Sequence, residues 1–325
     1  MSQQLKTRES APVAAPIAPK KPSRLRTFLE SDIVYSWQRQ PVVILATLVT
    51  LVMFAGALFA PWIAPQNPFD PRQLELIDAF TPPLTTSDFT GNFYLLGSDS
   101  QGRDVFSAIL YGSRISLLVG FAAVLFALAL GTALGLLAGF RGGWRDALIM
   151  RIADVQLTFP SILMALLIFG VIRGFLPRSM HAEVAIIVLI IAIGLSDWVQ
   201  YARAVRGATM VEKGKEYVQA ARVIGLPDRR ILFQHILPNV LRPVLVIGTI
   251  GLALAIIAEA TLSFLGVGMP ATQPSLGTLI RVGQDYMFSG EWWILLFPGV
   301  ALLLLALSVN LLGDWLRDVL NPKLR

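Results

Sequence analysis

Six long stretches of the chain are poor in charged residues, and each is close to the length of a helix that crosses a membrane. A helix needs about 20 predominantly apolar residues to span the hydrocarbon core of a bilayer. The pattern therefore predicts an all-α integral membrane protein with about six transmembrane helices. The predicted spans are residues 42–61, 115–140, 153–173, 184–205, 243–265 and 292–313.

The first 40 residues have a different pattern. Residues 1–23 are rich in Ala and Pro without apolar periodicity, which predicts a disordered cytoplasmic tail. In residues 24–40, apolar side chains recur three or four positions apart among arginines, which predicts an amphipathic helix on the membrane surface. The transmembrane domain is then residues 41–325. Its first span begins late and is longer than the apolar core of a signal peptide, so we expect it to be retained.

The distribution of Lys and Arg predicts the orientation. With the N-terminus inside, 21 of the 27 basic residues fall on the cytoplasmic side and six on the outer side. Cytoplasmic loops of membrane proteins carry an excess of these residues. We therefore expect a multi-pass membrane protein with both termini in the cytoplasm. On the outer side, the amphipathic pattern of residues 103–117 predicts a helix lying on the outer face before the second span.

The composition agrees with a membrane location and argues against a metal site and against nucleic acid binding. Hydrophobic residues make up 55% of the chain and charged residues 15%, against about 25% charged in a typical soluble domain. There is no cysteine, and the two histidines, His181 and His235, lie in different loops, so no metal site is expected. The net charge of +6 flanks apolar runs and forms no single patch, which argues against nucleic acid as a partner.

Catalytic motifs are also missing. The sequence has no Gly-x4-Gly-Lys-Ser/Thr phosphate loop, so the chain is not expected to bind or hydrolyse ATP by itself. Two histidines and no cysteine give no plausible nucleophile–base pair. We expect neither an enzyme nor a bound cofactor.

The loop between the fourth and fifth spans, residues 206–242, has the most informative pattern. A helix is predicted from Glu216 to Ile224, where Gly225 stops it. Pro227 suits the start of a second helix, which Pro238 is expected to end. Two interpretations are open, a docking device for a partner and a solvated loop with nothing bound.

This loop resembles the "EAA" loop of permease subunits of ATP-binding-cassette importers. Residues 219–221 are Gln-Ala-Ala, Gly225 follows after three residues, and residues 237–238 are Leu-Pro at the family's spacing. Gln219 replaces the usual acid, and His235 stands where Ile is usual. The resemblance implies that residues 213–235 hold a coupling helix that sits in a cleft of a partner ATPase. The implied coupling residues are Glu216, Tyr217, Gln219, Ala220, Ala221, Gly225, Leu226, Leu237 and Pro238.

Further segments resemble the peptide/nickel permease group, and best the "C" type subunit of dipeptide and oligopeptide importers. They are residues 96–117, 151–167, 258–268 and 312–325, and the resemblance covers residues 30–325. It implies the type I importer permease fold, a place in the bacterial plasma (inner) membrane and one half of a translocation pore for peptides or a related small solute. It also implies a second homologous permease, two ATPase subunits that bind ATP and Mg, and an external solute-binding protein. The cargo stays open.

Three acids fall inside predicted spans. An acid near the middle of a helix costs about 2.5–3.5 kcal/mol on insertion scales, so Glu259 needs a partner or a water-filled cavity. It is either a pore-facing or interface acid, or a carboxylate hydrogen-bonded to a neighbouring helix near the outer interface. Asp154 and Asp197 lie near cytoplasmic ends, and we expect each to pair with a nearby arginine such as Arg151 or Arg203.

Small residues and one proline predict the helix packing. Gly131, Gly135 and Gly139 recur every four residues in the second span, a spacing that lets helix backbones approach closely. A pore lining is the alternative role for these glycines. Pro160 is expected to bend the third span.

Other classes of transport protein compete with the importer hypothesis. Ion-gradient-driven secondary transporters place ionisable groups at the midplane and show inverted repeats; here there is one candidate acid, Glu259, and no obvious repeat. A channel lacks support because no ring-forming filter motif is present. A subunit with a purely structural role in an assembly is a third hypothesis.

Overall fold

The computed structural model describes residues 32–320, which are predominantly helical. The predicted tail, residues 24–31 of the predicted amphipathic helix and residues 321–325 lie outside the described part. The helices are α1 (Asp32–Gln38), α2 (Pro41–Leu58), α3 (Val105–Arg141), α4 (Gly143–Leu157), α5 (Ser161–Phe175), α6 (Ala185–Lys213), α7 (Glu216–Val223), α8 (Leu237–Phe264), α9 (Leu276–Gln284) and α10 (Trp293–Leu320). Strands β1 (Thr85–Thr86) and β2 (Phe93–Tyr94) form an antiparallel hairpin.

Shorter helical turns fill several connections. They are Ala60–Ile63, Pro71–Gln73, Leu76–Asp78, Arg178–Met180, Asp228–Arg230 and the π-helical Ile231–Ile236. Helix α1 belongs to a separate compact unit that ends at Gln40, and all other elements belong to the unit that begins at Pro41.

Five helices are long and apolar enough to cross a membrane: α2, α3, α6, α8 and α10. The sixth predicted span, residues 153–173, is not one helix. It falls on α4 and α5, which are bent by 101° relative to each other. Pro160 lies at the break in an extended conformation, because it lacks the N–H needed to continue α4 and disfavours the helical conformation of Phe159 before it.

The predicted helix on the outer face is also wrong, because residues 105–117 are the first turns of the 37-residue helix α3. Asp104 caps this helix by accepting a hydrogen bond from the backbone N–H of Ser107 at 2.8 Å. Small residues such as Gly112 and Ser116 are buried in its first half and let other segments pack against it. At 1.5 Å per residue the helix is about 55 Å long, more than a bilayer core requires.

Helices α3 and α6 pack with their backbones in close approach. A Cβ atom on Gly135 would lie 2.5 Å from the carbonyl oxygen of Ala202. A Cβ atom on Gly131 would lie 2.6 Å from a backbone carbonyl oxygen of α6, and one on Gly139 would lie 2.9 Å from another. Backbone carbonyls cannot rotate away, so these three positions exclude any side chain. Within this chain, the three glycines face α6.

Buried Asp78 organises the segment between α2 and α3. Its carboxylate accepts hydrogen bonds from Ser87, Thr90 and Tyr94, the last at 2.9 Å. Burial alone would raise the pKa of Asp78, but these hydrogen bonds outweigh burial and lower the pKa below its usual value. The β1–β2 hairpin is therefore attached to an ionised carboxylate.

A buried ion pair joins this segment to the loop after α8. The Nε of Arg103 lies 2.7 Å from the Oδ2 of Asp99, and both side chains are almost fully buried. Arg103 also donates to the carbonyl oxygen of Ala271 at 3.1 Å, and Trp293 donates to the carbonyl oxygen of Ser98 at 3.0 Å. Removing either charge would leave the other buried without a charged partner. Loss of one member of the pair would therefore destabilise the fold strongly.

We expect Gly135→Ala to lower the free energy of unfolding by about 1–3 kcal/mol, because the added methyl group overlaps a backbone carbonyl. Gly170→Ala in α5 is the matched control, since a Cβ there has no neighbour within 4 Å. Reversible unfolding of the detergent-solubilised protein by SDS measures both. Equal stabilities for the two variants would contradict close packing of α3 on α6.

Asp78 predicts a pH dependence for the hairpin. A carboxyl group whose pKa is lower in the folded state stabilises that state above its unfolded pKa of about 3.9, and the stabilisation is lost as pH falls through the folded pKa. Protection of the hairpin amides from hydrogen exchange, corrected for the intrinsic rate, should therefore fall as the pH drops below about 4. Asp78→Asn should reduce protection at pH 7 and abolish this pH dependence, whereas exposed Asp88→Asn should change neither.

Candidate functional site

The segment between α6 and α8 forms the elbow, defined here as residues 212–239. Its first arm is α7, and its second arm begins with the turn Asp228–Arg230 and continues through Ile231–Ile236. Gly225 separates the arms with a φ of +80°, a conformation that side-chain-bearing residues rarely adopt.

The end of α7 is a Schellman motif. The N–H of Leu226 donates to the carbonyl oxygen of Ala221, and the N–H of Gly225 donates to that of Arg222, both at 3.0 Å. This pair of bonds satisfies the last carbonyl groups of the helix and requires a left-handed residue at Gly225. The local sequence therefore specifies the sharp turn without help from other parts of the chain.

The predicted end of the second arm at Pro238 is wrong. Pro238 lies in the first turn of α8, and the chain is helical on both sides of it. The π-helical segment Ile231–Ile236 runs directly into that helix. The second arm is therefore continuous with a membrane-spanning helix, so displacement of the arm displaces the span.

Four apolar side chains anchor the elbow to the helix bundle. Val218 and Ala221 from α7, and Ile231 and Ile236 from the second arm, are buried. They share one hydrophobic cluster with residues of α3, α6 and α8, namely Ala127, Leu136, Phe140, Tyr201, Val205, Val240 and Val244. We call these four side chains the base of the elbow, because they hold both arms against the helix bundle.

The nine predicted coupling residues divide between this base and the surface. Ala221 is buried, and Leu226 and Leu237 are half-buried against the base. The remaining six are exposed: Glu216, Tyr217, Gln219, Ala220, Gly225 and Pro238.

Sequence reasoning missed part of the exposed apolar surface. Val223 is 87% exposed, Ile224 75% and Phe233 53%. Ala221, one of the residues implied to take part in coupling, is turned inward, whereas Ile224 stays exposed. Neither Val223 nor Phe233 was among the predicted coupling residues. Large apolar side chains kept in contact with solvent typically mark an interaction surface.

A polar cluster fixes the angle between the two arms. Tyr217 donates its hydroxyl hydrogen to Glu212, and Asn239 donates to the Tyr217 hydroxyl at 3.1 Å and to the carbonyl oxygen of His235 at 2.7 Å. Burial and the bond to Glu212 raise the pKa of Tyr217, so its hydroxyl stays protonated and can donate. His235, which replaces the usual Ile, packs its ring 6.3 Å from that of Tyr217.

Charged side chains connect the elbow to neighbouring helices. Lys213 donates to the carbonyl oxygen of Phe140 at the end of α3, at 2.7 Å. Arg222 lies over the ring of Phe140 at 5.9 Å. These contacts link the elbow to the end of α3. Outside the elbow, Arg206 of α6 forms a two-bond ion pair with Asp146 of α4, at 2.5 and 2.7 Å.

The acids predicted to pair with arginine behave differently. Asp154 pairs with Arg203, which confirms the prediction. The same prediction is wrong for Asp197, because no Lys or Arg side chain that the structure describes lies within 4.0 Å of its carboxylate.

Glu259 is fully buried, and its partners lie within the chain. Ser116 of α3 and Ser263 of α8 each donate to its carboxylate at 2.7 Å. The hydroxyl oxygens of these serines in turn accept the backbone N–H groups of Leu276, at 3.3 Å, and Met269, at 3.1 Å. Of the two interpretations of Glu259, the carboxylate bonded to a neighbouring helix fits this geometry, because the side chain meets no open surface of the chain.

Within the described part of the chain, no group of three or more His, Asp or Glu side chains could hold a metal ion. The elbow combines a buried base, an exposed apolar tip (Val223 and Ile224) and a helical connection to α8.

Comparison with known proteins finds membrane transport proteins that are similar to this chain. The family model described as "binding-protein-dependent transport system inner membrane component" matches residues 131–325. The di/tripeptide transport system permease protein DppC of Pseudomonas aeruginosa is 38% identical over 278 residues, 86% of this chain and 87% of that protein. The glutathione transport system permease protein GsiD of Pectobacterium atrosepticum is 38% identical over 290 residues, 88% of this chain and 89% of that protein.

Among solved structures, an inward-facing conformation of the MetNI methionine ABC transporter aligns with a TM-score of 0.48 and 22% sequence identity. The alignment covers 64% of this chain and 93% of that chain.

We expect Ile231→Ala to loosen the elbow, because removing a buried side chain of this kind costs about 2–5 kcal/mol. Limited trypsin cleavage at Arg229 and Arg230 in the detergent-purified protein should become faster. Phe233→Ala is the control, since its side chain is exposed and its loss should leave the cleavage rate unchanged. Equal acceleration in both variants would show that the base does not depend on Ile231.

Proposed function

The chain belongs to the family of inner membrane components of binding-protein-dependent transport systems, and we propose that it carries di- or oligopeptides, or a related small solute. It is a multi-pass permease subunit of an ATP-binding-cassette importer, and nothing in its relatives favours an ion-gradient-driven transporter. The peptide specificity is taken from relatives that are named as dipeptide and di/tripeptide permeases.

The proposed importer contains this chain, a second homologous permease, two ATPase subunits and an external solute-binding protein. Each permease forms half of the translocation pore. The ATPases bind ATP and Mg and carry out hydrolysis, because this chain has no phosphate loop. Its own contribution is to transmit work, and it has no catalytic or cofactor-binding residues. Both termini lie in the cytoplasm, on the same side as the elbow and the ATPases.

The observation that carries the proposal is the exposed apolar tip of the elbow on its buried base. Val223 and Ile224 lie next to Gly225, where α7 ends, and offer the surface that a cleft in an ATPase would cover. Coverage of large apolar side chains by a partner is favourable by roughly 25 cal/mol per Å².

Transmission follows from the connections of the elbow. The second arm continues into α8, and Lys213 is bonded to the end of α3. Because the base is packed and the angle between the arms is fixed, closure of the ATPases moves these helices together with the elbow. The resulting motion opens the pore outward to receive the solute.

The proposal predicts specific crosslinks. The chain has no cysteine, so single-cysteine variants carry no background. Ile224→Cys should crosslink to a cysteine in the cleft of the copurified ATPase subunit, whereas Phe89→Cys, equally accessible at 73% exposed, should not. A membrane-impermeant maleimide added to intact spheroplasts should label the second variant and not the first.

Gly225→Val adds a functional test. A Cβ at this position meets no atom within 4 Å, so the effect of the substitution comes from its positive φ and not from a clash. Transport and ATPase copurification should fall at least tenfold while membrane insertion stays normal, since a strained turn misplaces the tip. Wild-type transport in this variant, or a crosslink from position 89 in place of 224, would overturn the coupling role.

A further inference from the structure

One face of α6 is polar within a membrane-spanning segment. Asp197 and Gln200 lie three positions apart and so share a face of the helix, and Ser196 adjoins them. The opposite side of the helix, which includes Trp198 and Ala202, is buried in the bundle. The polar face therefore does not pack against α3.

This polar face forms one wall of a cavity of about 340 Å³. Ser161 and Ile162, at the start of α5, form the second wall, and Leu254 and Ile257 of α8 form the third. Leu254 and Ile257 are exposed in this chain although they lie in the middle of a span. The cavity combines apolar walls with a few convergent polar groups, which is the usual composition of a site for a small molecule.

The carboxylate of Asp197 has no basic partner among the described side chains, although arginines lie further along the same helix. Arg203 is paired with Asp154, and Arg206 is paired with Asp146. Ionisable groups in membrane spans are costly and typically face a water-filled cavity on the path of a substrate or ion. An unpaired carboxylate in such a cavity attracts cations.

The end of α4 holds this part of α6 in place. Gln156 donates to the carbonyl oxygens of Leu195, at 2.8 Å, and Ser196, at 2.9 Å, and it accepts a hydrogen bond from Trp198 at 2.8 Å. The sharp break after α4 brings Ser161 beside these residues. The position of Asp197 is thus set by hydrogen bonds from a second helix, and the site is formed without a ligand.

We propose that this cavity lies on the translocation path and that Asp197 receives the cationic ammonium group of the passing solute. The proposal rests on the proposed function, because a peptide has a free amino terminus that is protonated at neutral pH. Gln200 and Ser196 supply hydrogen-bonding groups beside the charge, and Leu254 and Ile257 contact the apolar part of the solute. Asp197 thereby favours solutes with a free amine.

The test measures the charge preference of the cavity in the complete importer, reconstituted in nanodiscs with its partner subunits. Ser196→Cys and Gln200→Cys are each treated with the cationic thiol reagent MTSET and the anionic reagent MTSES. The ratio of the two rates should exceed that of exposed Phe89→Cys by about tenfold, because a nearby carboxylate attracts one reagent and repels the other. Adding Asp197→Asn should return the ratio to the Phe89→Cys value.

Two controls keep the result interpretable. Asp318→Asn, a neutralisation at an exposed position near the end of α10, should leave the ratio unchanged. Asp197→Glu should keep the cation preference, and ATPase activity of each complex reports correct assembly. If Asp197→Asn fails to assemble, the comparison of Asp197→Glu with Asp197→Ser gives the same contrast.

Two outcomes would overturn the proposal. Absence of labelling at both Ser196→Cys and Gln200→Cys in the complex would show that a partner subunit covers the cavity. A cation preference that is absent, or that survives Asp197→Asn, would remove the role of the carboxylate. Neither outcome affects the Ile224→Cys crosslink, so failure of this inference and failure of the proposed function are distinguishable.

Discussion

The contact between α3 and α6 depends on the absence of side chains at Gly131, Gly135 and Gly139, and the other functional features are attached to these two helices. The backbone of α6 lies so close to α3 that Cβ atoms at these three positions would overlap its carbonyl oxygens. From that pair, α3 presents Ser116 to Glu259, and α6 leads into the elbow. Without a hydrophobic driving force between helices in lipid, such close backbone packing is a main source of stability.

Two buried or half-buried acids show how the same chemical group takes different surroundings in one bundle. Glu259 accepts hydrogen bonds from two serines, whose oxygens accept N–H groups from the loop before α9 and from its first residue, so its carboxyl group is enclosed. Asp197 lies at a cavity, without a basic partner among the described side chains. The difference lies in the surroundings and not in the residue type, since the cost of an acid in a span is met by hydrogen bonds in one place and by a cavity in the other.

The elbow combines rigidity with exposure. Ile231 and Ile236 fix its base, the Tyr217 cluster fixes the angle between its arms, and the tip keeps Ile224 in contact with solvent. Its second arm continues into α8 without a break, so the elbow and this helix form one helical segment. The glycine turn at Gly225 shapes the tip, and its bonds to the end of α7 involve only residues of the elbow.

The sequence by itself determined the features that depend on local chemistry: apolar runs long enough to span a bilayer, the stop at Gly225 and a break at Pro160. It failed where the outcome depends on neighbouring helices. The 101° angle at Pro160, the inward turn of Ala221 and the unpaired state of Asp197 all depend on which surfaces meet. Pro238 also did not end a helix as predicted, because the turn before it is π-helical. The N–H of Leu237 donates to the carbonyl oxygen of Leu232, and the chain stays helical through the proline. Local patterns specify elements and their ends, but only packing decides which face of each element is covered.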